Sequence, residues 1–231
     1  MNVPLENLTE AEQSTHQRLF ESLIRDRSLL GGAVRPPELD LLARVYKTIR
    51  PARSLEWGLG TGVSAAALGL MRQGLGLEGC HRTLDPFQEK FCDNQGLKCL
   101  AEFRTEDCVT FQPLTAEEFL IQARNQKVSY NFIFIDGWHG TGNKLMDACL
   151  AESVLAPGGV IAFHDSFIKP TSLALQFLKE EQGMRLLETG TENRLKRRLR
   201  ALKHAHRLGF KYSLHYAPKI DYSLSFLVKE H

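Results

Sequence analysis

Short apolar strand patterns and amphipathic helical patterns take turns along most of this chain, and that alternation limits the fold more than any other feature. RSLEW (53–57), HRTLD (81–85), CVTFQPL (108–114), YNFIFID (130–136) and VIAFHD (160–165) read as strands. The stretches VSAAALGLMRQ (63–73), FQEKFCDNQGLKCLAEF (87–103), TAEEFLIQARNQ (115–126), GNKLMDACLAESVL (142–155) and SLALQFLKEEQ (172–182) read as helices following them. Five repeats of strand-then-helix predict an α/β fold, doubly wound and mostly parallel, with helices on both faces of the sheet. The apolar run 132–135 within YNFIFID predicts a strand buried on both sides. MRLLET (184–189) and SLSFLVKE (223–230) predict closing strands, the last of them antiparallel, and Pro157-Gly158-Gly159 predicts a turn ending the helix before it.

Residues 1–50 predict a helical N-terminal extension. Thr9 and Glu12 have capping-box spacing, and Leu19, Phe20, Leu23 and Ile24 recur on one helical face. Gly31-Gly32 stops that helix, Arg35-Pro36-Pro37 marks a turn, and a second helix ends at Pro51. The main domain then occupies 51–231, with a basic insertion at 190–220. That insertion stands out because residues 191–211 carry eight Lys/Arg and one acid, whereas the whole chain is only +2. Leu195, Leu199 and Leu202 at helical spacing suit a solvated helix docked by a leucine stripe. The same residues suit an anionic-surface binder, or a lid recognising a phosphorylated or carboxylated substrate through Arg. The stripe has no interleaved aromatics, which argues against nucleic acid as a partner.

The 231 residues are 43 % apolar and 24 % charged, without an apolar run of bilayer-spanning length. Five cysteines without a C-x-x-C pair predict free thiols. With no basic, apolar leader in MNVPLENLTEAEQ, the expected location is the cytoplasm, away from membranes.

The sequence E-W-G-L-G-T-G-V-S (56–64) follows the first strand, where open α/β sheets bind ligands at the carboxyl ends of their strands. Glycines there let the backbone approach a ligand, and the next helix offers unpaired N–H groups. Val63 stands where a dinucleotide fingerprint wants its third glycine, and no Y-x-x-x-K pair is present. Both absences argue against an NAD-linked oxidoreductase. Glu56 would repel a pyrophosphate but suits an ammonium. An amino-acid zwitterion fits both signs, its carboxylate toward the helix N-terminus and Ser64. Asp85, ending the second strand, suits a ribose diol; it equally suits a helix N-cap before Pro86.

These segments together resemble the class I S-adenosylmethionine-dependent methyltransferases, and within them the small catechol/caffeoyl-coenzyme A type O-methyltransferases and their bacterial relatives. L-E-W-G-L-G-T-G-V-S-A is similar to that family's first motif and L-D-P-F-Q to its ribose-binding acidic motif. F-I-F-I-D-G-W-H and P-G-G-V-I-A-F-H-D resemble its fourth- and fifth-strand motifs. The resemblance implies a Rossmann-like sheet and cofactor contacts from Glu56, Gly58, Gly60, Thr61, Ser64 and Asp85. Trp138 resembles the aromatic that flanks the adenine, unless it simply packs in the core. Glu117 sits where relatives contact the adenine, unless it serves a helix first turn.

The expected chemistry is methyl transfer to a hydroxyl of a small molecule such as a sugar, polyphenol or natural-product intermediate. Asp136, Trp138, His139, His164 and Asp165 are the candidates at the ends of strands four and five. His139 is the chosen general base, because an imidazole ordinarily titrates near neutrality; relatives have a lysine in its place, and a structural imidazole is the alternative. Asp136 and Asp165 fall where metal-dependent relatives hold Mg²⁺, with Ser166 in the place of the family's amide ligand. Otherwise both aspartates orient loops or bind substrate. A non-catalytic or RNA-associated module retaining the fold is the rival reading, and a homodimer through the N-terminal helices is the expected assembly.

Overall fold

The computed structural model describes residues 4–24, 33–190, 195–196, 199–200, 202–203 and 220–230. It is the expected α/β architecture, with seven strands in one mostly parallel sheet of order β3-β2-β1-β4-β5-β7-β6. The chain divides into two compact halves that meet in sequence at Phe119 and Leu120.

The first half contains α1 (Glu10–Ile24), α2 (Pro36–Ile49), β1 (Ser54–Trp57), α3 (Val63–Gly74), β2 (His81–Leu84), α4 (Gln88–Cys92), α5 (Gln95–Glu102), β3 (Val109–Gln112) and the start of α6 (Ala116–Asn125). β1 pairs with β2 in parallel, Ser54 opposite His81 and Trp57 opposite Leu84, and β2 pairs likewise with β3. The capping box forms as read: Glu12 Oε2 accepts from the Thr9 N–H (2.6 Å), and Thr9 Oγ1 accepts from the Glu12 N–H (3.2 Å). Gly31 and Gly32, the expected stop signal, lie outside the described residues. In α2, Leu39, Leu42, Val45 and Tyr46 are buried, so this helix is part of the core of its half. The mostly helical segment expected over 87–103 forms two helices, α4 and α5. Asp93 and Asn94 both take left-handed backbone, φ 46° and 54°, which short polar side chains tolerate.

Arg72 ties the end of α3 to its surroundings. Its guanidinium is buried and donates to the carbonyls of Gly79 (2.8 Å), Pro51 (2.9 Å), Ala52 (2.8 Å) and Glu78, and to the Tyr46 hydroxyl (3.2 Å). A buried cation is tolerable only when its donors are satisfied, and backbone oxygens do that here.

The second half contains the rest of α6, then β4 (Tyr130–Ile135), α7 (Thr141–Val154), β5 (Leu155–Phe163), α8 (Lys169–Glu180), β6 (Arg185–Leu186) and β7 (Ser225–Val228). β4 and β5 are parallel, while β7 runs antiparallel to both β5 and β6. Phe132, Ile133, Phe134 and Ile135 are fully buried, matching the two-sided burial read from YNFIFI. Pro157-Gly158-Gly159 departs from expectation: it lies inside β5 and is not a turn. The backbone stays paired there, Gly158 N–H donating to Lys229 O (2.7 Å) and Lys229 N–H to Gly159 O (3.1 Å). Gly158 absorbs the distortion at φ 74°, and the β4–β5 register shifts between Tyr130 and Phe132.

Most of the basic segment lies outside the described residues. Within it, Leu195, Leu199 and Leu202 are 64 %, 58 % and 68 % exposed, so the docked leucine stripe is not seen. Among the described residues no helix is long and apolar enough to cross a membrane.

Candidate active site

In the first half, the turn after β1 bends as its glycines require. Gly58, Gly60 and Gly62 have φ 99°, 48° and 83°, backbone that side chains rarely adopt. A methyl group added to Gly60 would meet nothing within 4 Å, so the space before the loop is open. At Gly62 the same methyl would lie 2.6 Å from the Gly96 carbonyl oxygen, so α5 packs directly on the loop's other side. Thr61 is half-buried beside it. Val63 and Ser64 open α3 without any side-chain cap, leaving first-turn N–H groups for an anion.

Asp85 follows β2 and is almost buried. Its Oδ2 accepts from Gly60 N–H (3.0 Å) and Gln88 Nε2 (2.7 Å), and its Oδ1 from Phe87 N–H (2.8 Å). Gln88 also donates to Gly60 O (2.9 Å) and accepts from Gly96 N–H (3.1 Å). Asp85 is therefore the post that fixes the glycine loop. A carboxylate has about four lone-pair sites, so one on Oδ1 remains for a ligand hydroxyl. Gln88 was missed from sequence; its role arises from a turn that brings residues 60, 85 and 96 together.

Glu56 corrects an expectation. It is completely buried, and both oxygens are engaged: Oε1 accepts from Ser64 Oγ (2.5 Å) and Oε2 lies 3.0 Å from His81 Nε2. Its lack of any exposed surface, rather than its two hydrogen bonds, keeps it from a direct grip on a ligand ammonium. It acts behind Ser64. His81 Nδ1 in turn lies 3.0 Å from Ser54 Oγ, which lies 2.8 Å from the Tyr46 hydroxyl. Glu117 is half-buried in the first turn of α6 beside Glu118, where an acid suits the helix dipole.

In the second half, four side chains gather at the carboxyl ends of β4 and β5. His164 Nδ1 lies 3.1 Å from Asp136 Oδ1 and 3.5 Å from Asp165 Oδ2, and His139 Nε2 lies 3.4 Å from Asp165 Oδ2. Asp165 takes φ 52°, left-handed backbone that a short polar side chain tolerates, as at Asp93 and Asn94. Burial alone would raise its carboxyl. The hydrogen bond and charge of His164, with the charges of His139 and Lys144, outweigh that and hold it below the usual value. His139 is about half-exposed, and Trp138 is 63 % exposed, which removes core packing as its reason for being there.

Lys144, one turn into α7, escaped the sequence reading. It is fully buried and donates to Gly137 O (3.2 Å). Burial lowers its ammonium pKa, against which Asp136, Asp147 and Asp165 pull upward. A lysine on an otherwise apolar helix face, three residues from an aspartate, was the available signal.

Asp136, His164 and Asp165 offer ligand atoms within 4.8 Å of one another. The set nonetheless does not fit Mg²⁺, which takes oxygen donors in near-ideal octahedra. Its middle member is an imidazole, and a buried ammonium lies in the field of both carboxylates. Ser166, in the place of the family's amide ligand, is buried and occupied by Phe163 O (3.3 Å) and Ser225 Oγ (2.7 Å).

The fold and the glycine turn define a Rossmann-like α/β protein with a nucleotide-type cradle. Residues 55–166 match the model of a methyltransferase domain family. About three quarters of the chain is similar in fold to solved O-methyltransferase structures. One from Bacillus cereus, in complex with S-adenosylhomocysteine, is 18 % identical, with a TM-score of 0.58 over 78 % of this chain and 84 % of that one. TomG from Streptomyces achromogenes, involved in tomaymycin synthesis and solved with S-adenosylmethionine, is 18 % identical, with a TM-score of 0.55 over 79 % and 82 %. A putative O-methyltransferase from Klebsiella pneumoniae is also 18 % identical, with a TM-score of 0.59 over 74 % and 80 %. None of the curated proteins matches the chain in sequence.

Proposed function

We propose that this protein transfers a methyl group from S-adenosylmethionine to a hydroxyl of a small molecule, with His139 as general base. The observation that carries the reading is the contact of His139 Nε2 with Asp165 Oδ2 at 3.4 Å, just past the end of β5. When bound, the cofactor supplies a methyl group already activated on a sulfonium, so positioning dominates the chemistry. The glycine turn, the first-turn N–H groups of α3 and Asp85 are the groups available to hold its amino-acid and ribose parts. His139 accepts the acceptor hydroxyl's proton on its ring, and Asp165 steadies the imidazolium that results. Asp136 and His164 hold Asp165 in place, and Trp138 supplies an exposed flat surface against an adenine or an aromatic acceptor. No step is assigned to Mg²⁺.

Replacing His139 by Ala tests the role. Turnover is expected to fall about 100-fold while cofactor affinity stays within about twofold. Unchanged turnover would return His139 to a structural part.

A further inference from the structure

The short loop between β4 and α7 carries both Trp138 and His139, and residues 136–140 belong to neither element. Yet Trp138 stands 63 % exposed while His139 Nε2 lies 3.4 Å from Asp165 Oδ2. A glycine adjoins the pair on either side, Gly137 before it and Gly140 after it, so local chain stiffness does not set this arrangement.

One residue takes the carbonyls of both glycines. The Lys144 N–H donates to Gly140 O (3.0 Å), an early backbone bond of α7. Its Nζ reaches back seven positions and donates to Gly137 O (3.2 Å). The first bond is ordinary helix geometry. The second is not, because it places an ammonium in a fully buried position. An apolar chain of similar length is often no worse in such a place, so the cation calls for a reason. The carboxylates that favour its charged form come from three elements: Asp136 follows β4, Asp147 lies three residues on in α7, and Asp165 follows β5. The last of these is also the carboxylate that His139 meets. One buried cation thus joins the loop backbone to the partner of its histidine.

We propose that Lys144 is the positioning residue of this loop: its buried ammonium clamps the Gly137 carbonyl, and the clamp holds His139 against Asp165 and Trp138 toward solvent. Lys144 acts through the backbone and touches no reacting atom. Its consequence for turnover rests on His139 being the base, as proposed above; the clamp itself does not. A base moved by about 1 Å loses about 100-fold in rate, so a loop between two glycines gains from such a tie.

Hydrogen exchange of the free protein, followed by mass spectrometry, reads the clamp directly. In Lys144→Met the amides of residues 137–140 are expected to exchange about tenfold faster or more, with β4 and β5 within about twofold of wild type. With both tryptophans replaced by 5-fluorotryptophan, the fluorine resonance of Trp138 is expected to shift and broaden in that variant while that of buried Trp57 stays in place. Unchanged loop exchange or an unmoved Trp138 resonance would overturn the inference. So would faster exchange spread evenly over the sheet, which is the mark of lost charge balance alone. Should Lys144→Met fail to fold, Lys144→Arg decides: it keeps donor and charge, and is expected to hold loop exchange within about threefold of wild type. Faster loop exchange in it would overturn the clamp. With catechol as the acceptor probe, Lys144→Met is expected to lower kcat about tenfold or more, to leave the S-adenosylmethionine KM within about twofold, and to add nothing to His139→Ala. Losses that multiply would make the two residues independent and overturn the inference. A wild type that binds no S-adenosylhomocysteine and leaves catechol unmethylated would count against the proposed function instead, and the exchange result would still decide the clamp.

Discussion

Replacing Gly62 by Ala probes the geometry of the ligand turn, and Gly60→Ala serves as its internal control. Both glycines have positive φ, 83° and 48°, so either substitution forces an L-residue into left-handed backbone at a cost of about 1–2 kcal/mol. They differ in what the new methyl meets. At Gly60 it meets nothing within 4 Å. At Gly62 it would lie 2.6 Å from the Gly96 carbonyl oxygen, 2.9 Å from the Gly96 Cα and 3.0 Å from the Cys99 Cβ, two of them backbone atoms. Overpacking against atoms that cannot rotate away adds about 1–3 kcal/mol. Gly62→Ala should therefore lose about 2–5 kcal/mol in urea unfolding, and Gly60→Ala about 1–2 kcal/mol. S-adenosylhomocysteine binding should show the opposite weighting for Gly60→Ala, whose methyl enters the open space before the loop. Equal stability of the two variants, within about 0.5 kcal/mol, would refute the contact between α5 and the turn.

Lys144 supplies a pH signature. Its folded-state pKa is below the ordinary 10.5, so between those two values the unfolded chain holds the proton that the folded chain has lost. Wild-type stability relative to Lys144→Met should rise with pH through that window in urea titrations; a difference independent of pH would contradict the buried ammonium. Cys99, pushed up to about 12 by burial, lowers stability above pH 9 but cancels in the comparison. Because the donor set does not suit Mg²⁺, turnover after exhaustive chelation and after Mg²⁺ is restored should agree within about twofold. A strict requirement for added Mg²⁺ would overturn that assignment.

The architecture was legible because strand and helix periodicities are local. The five strand–helix repeats, the Thr9–Glu12 box and the glycine turn all depend on neighbours a few residues away. What escaped depends on register. Glu56 looked available to a ligand because nothing near it in sequence names His81 as its partner. The parallel pairing that sets Ser54 against His81 brings that ring to the carboxylate. Lys144 looked like an ordinary helical lysine until α7 turned it inward onto Gly137. Pro157-Gly158-Gly159 misled for the converse reason. Turn residues were outweighed by backbone pairing with Lys229, seventy positions away in the chain.

The account stands on cofactor recognition by the half of the chain that carries the glycine turn. Isothermal titration of the purified protein with S-adenosylhomocysteine measures it directly. Saturable one-to-one binding, weakened by Asp85→Ala, is the expected result. A flat titration up to millimolar ligand would contradict it.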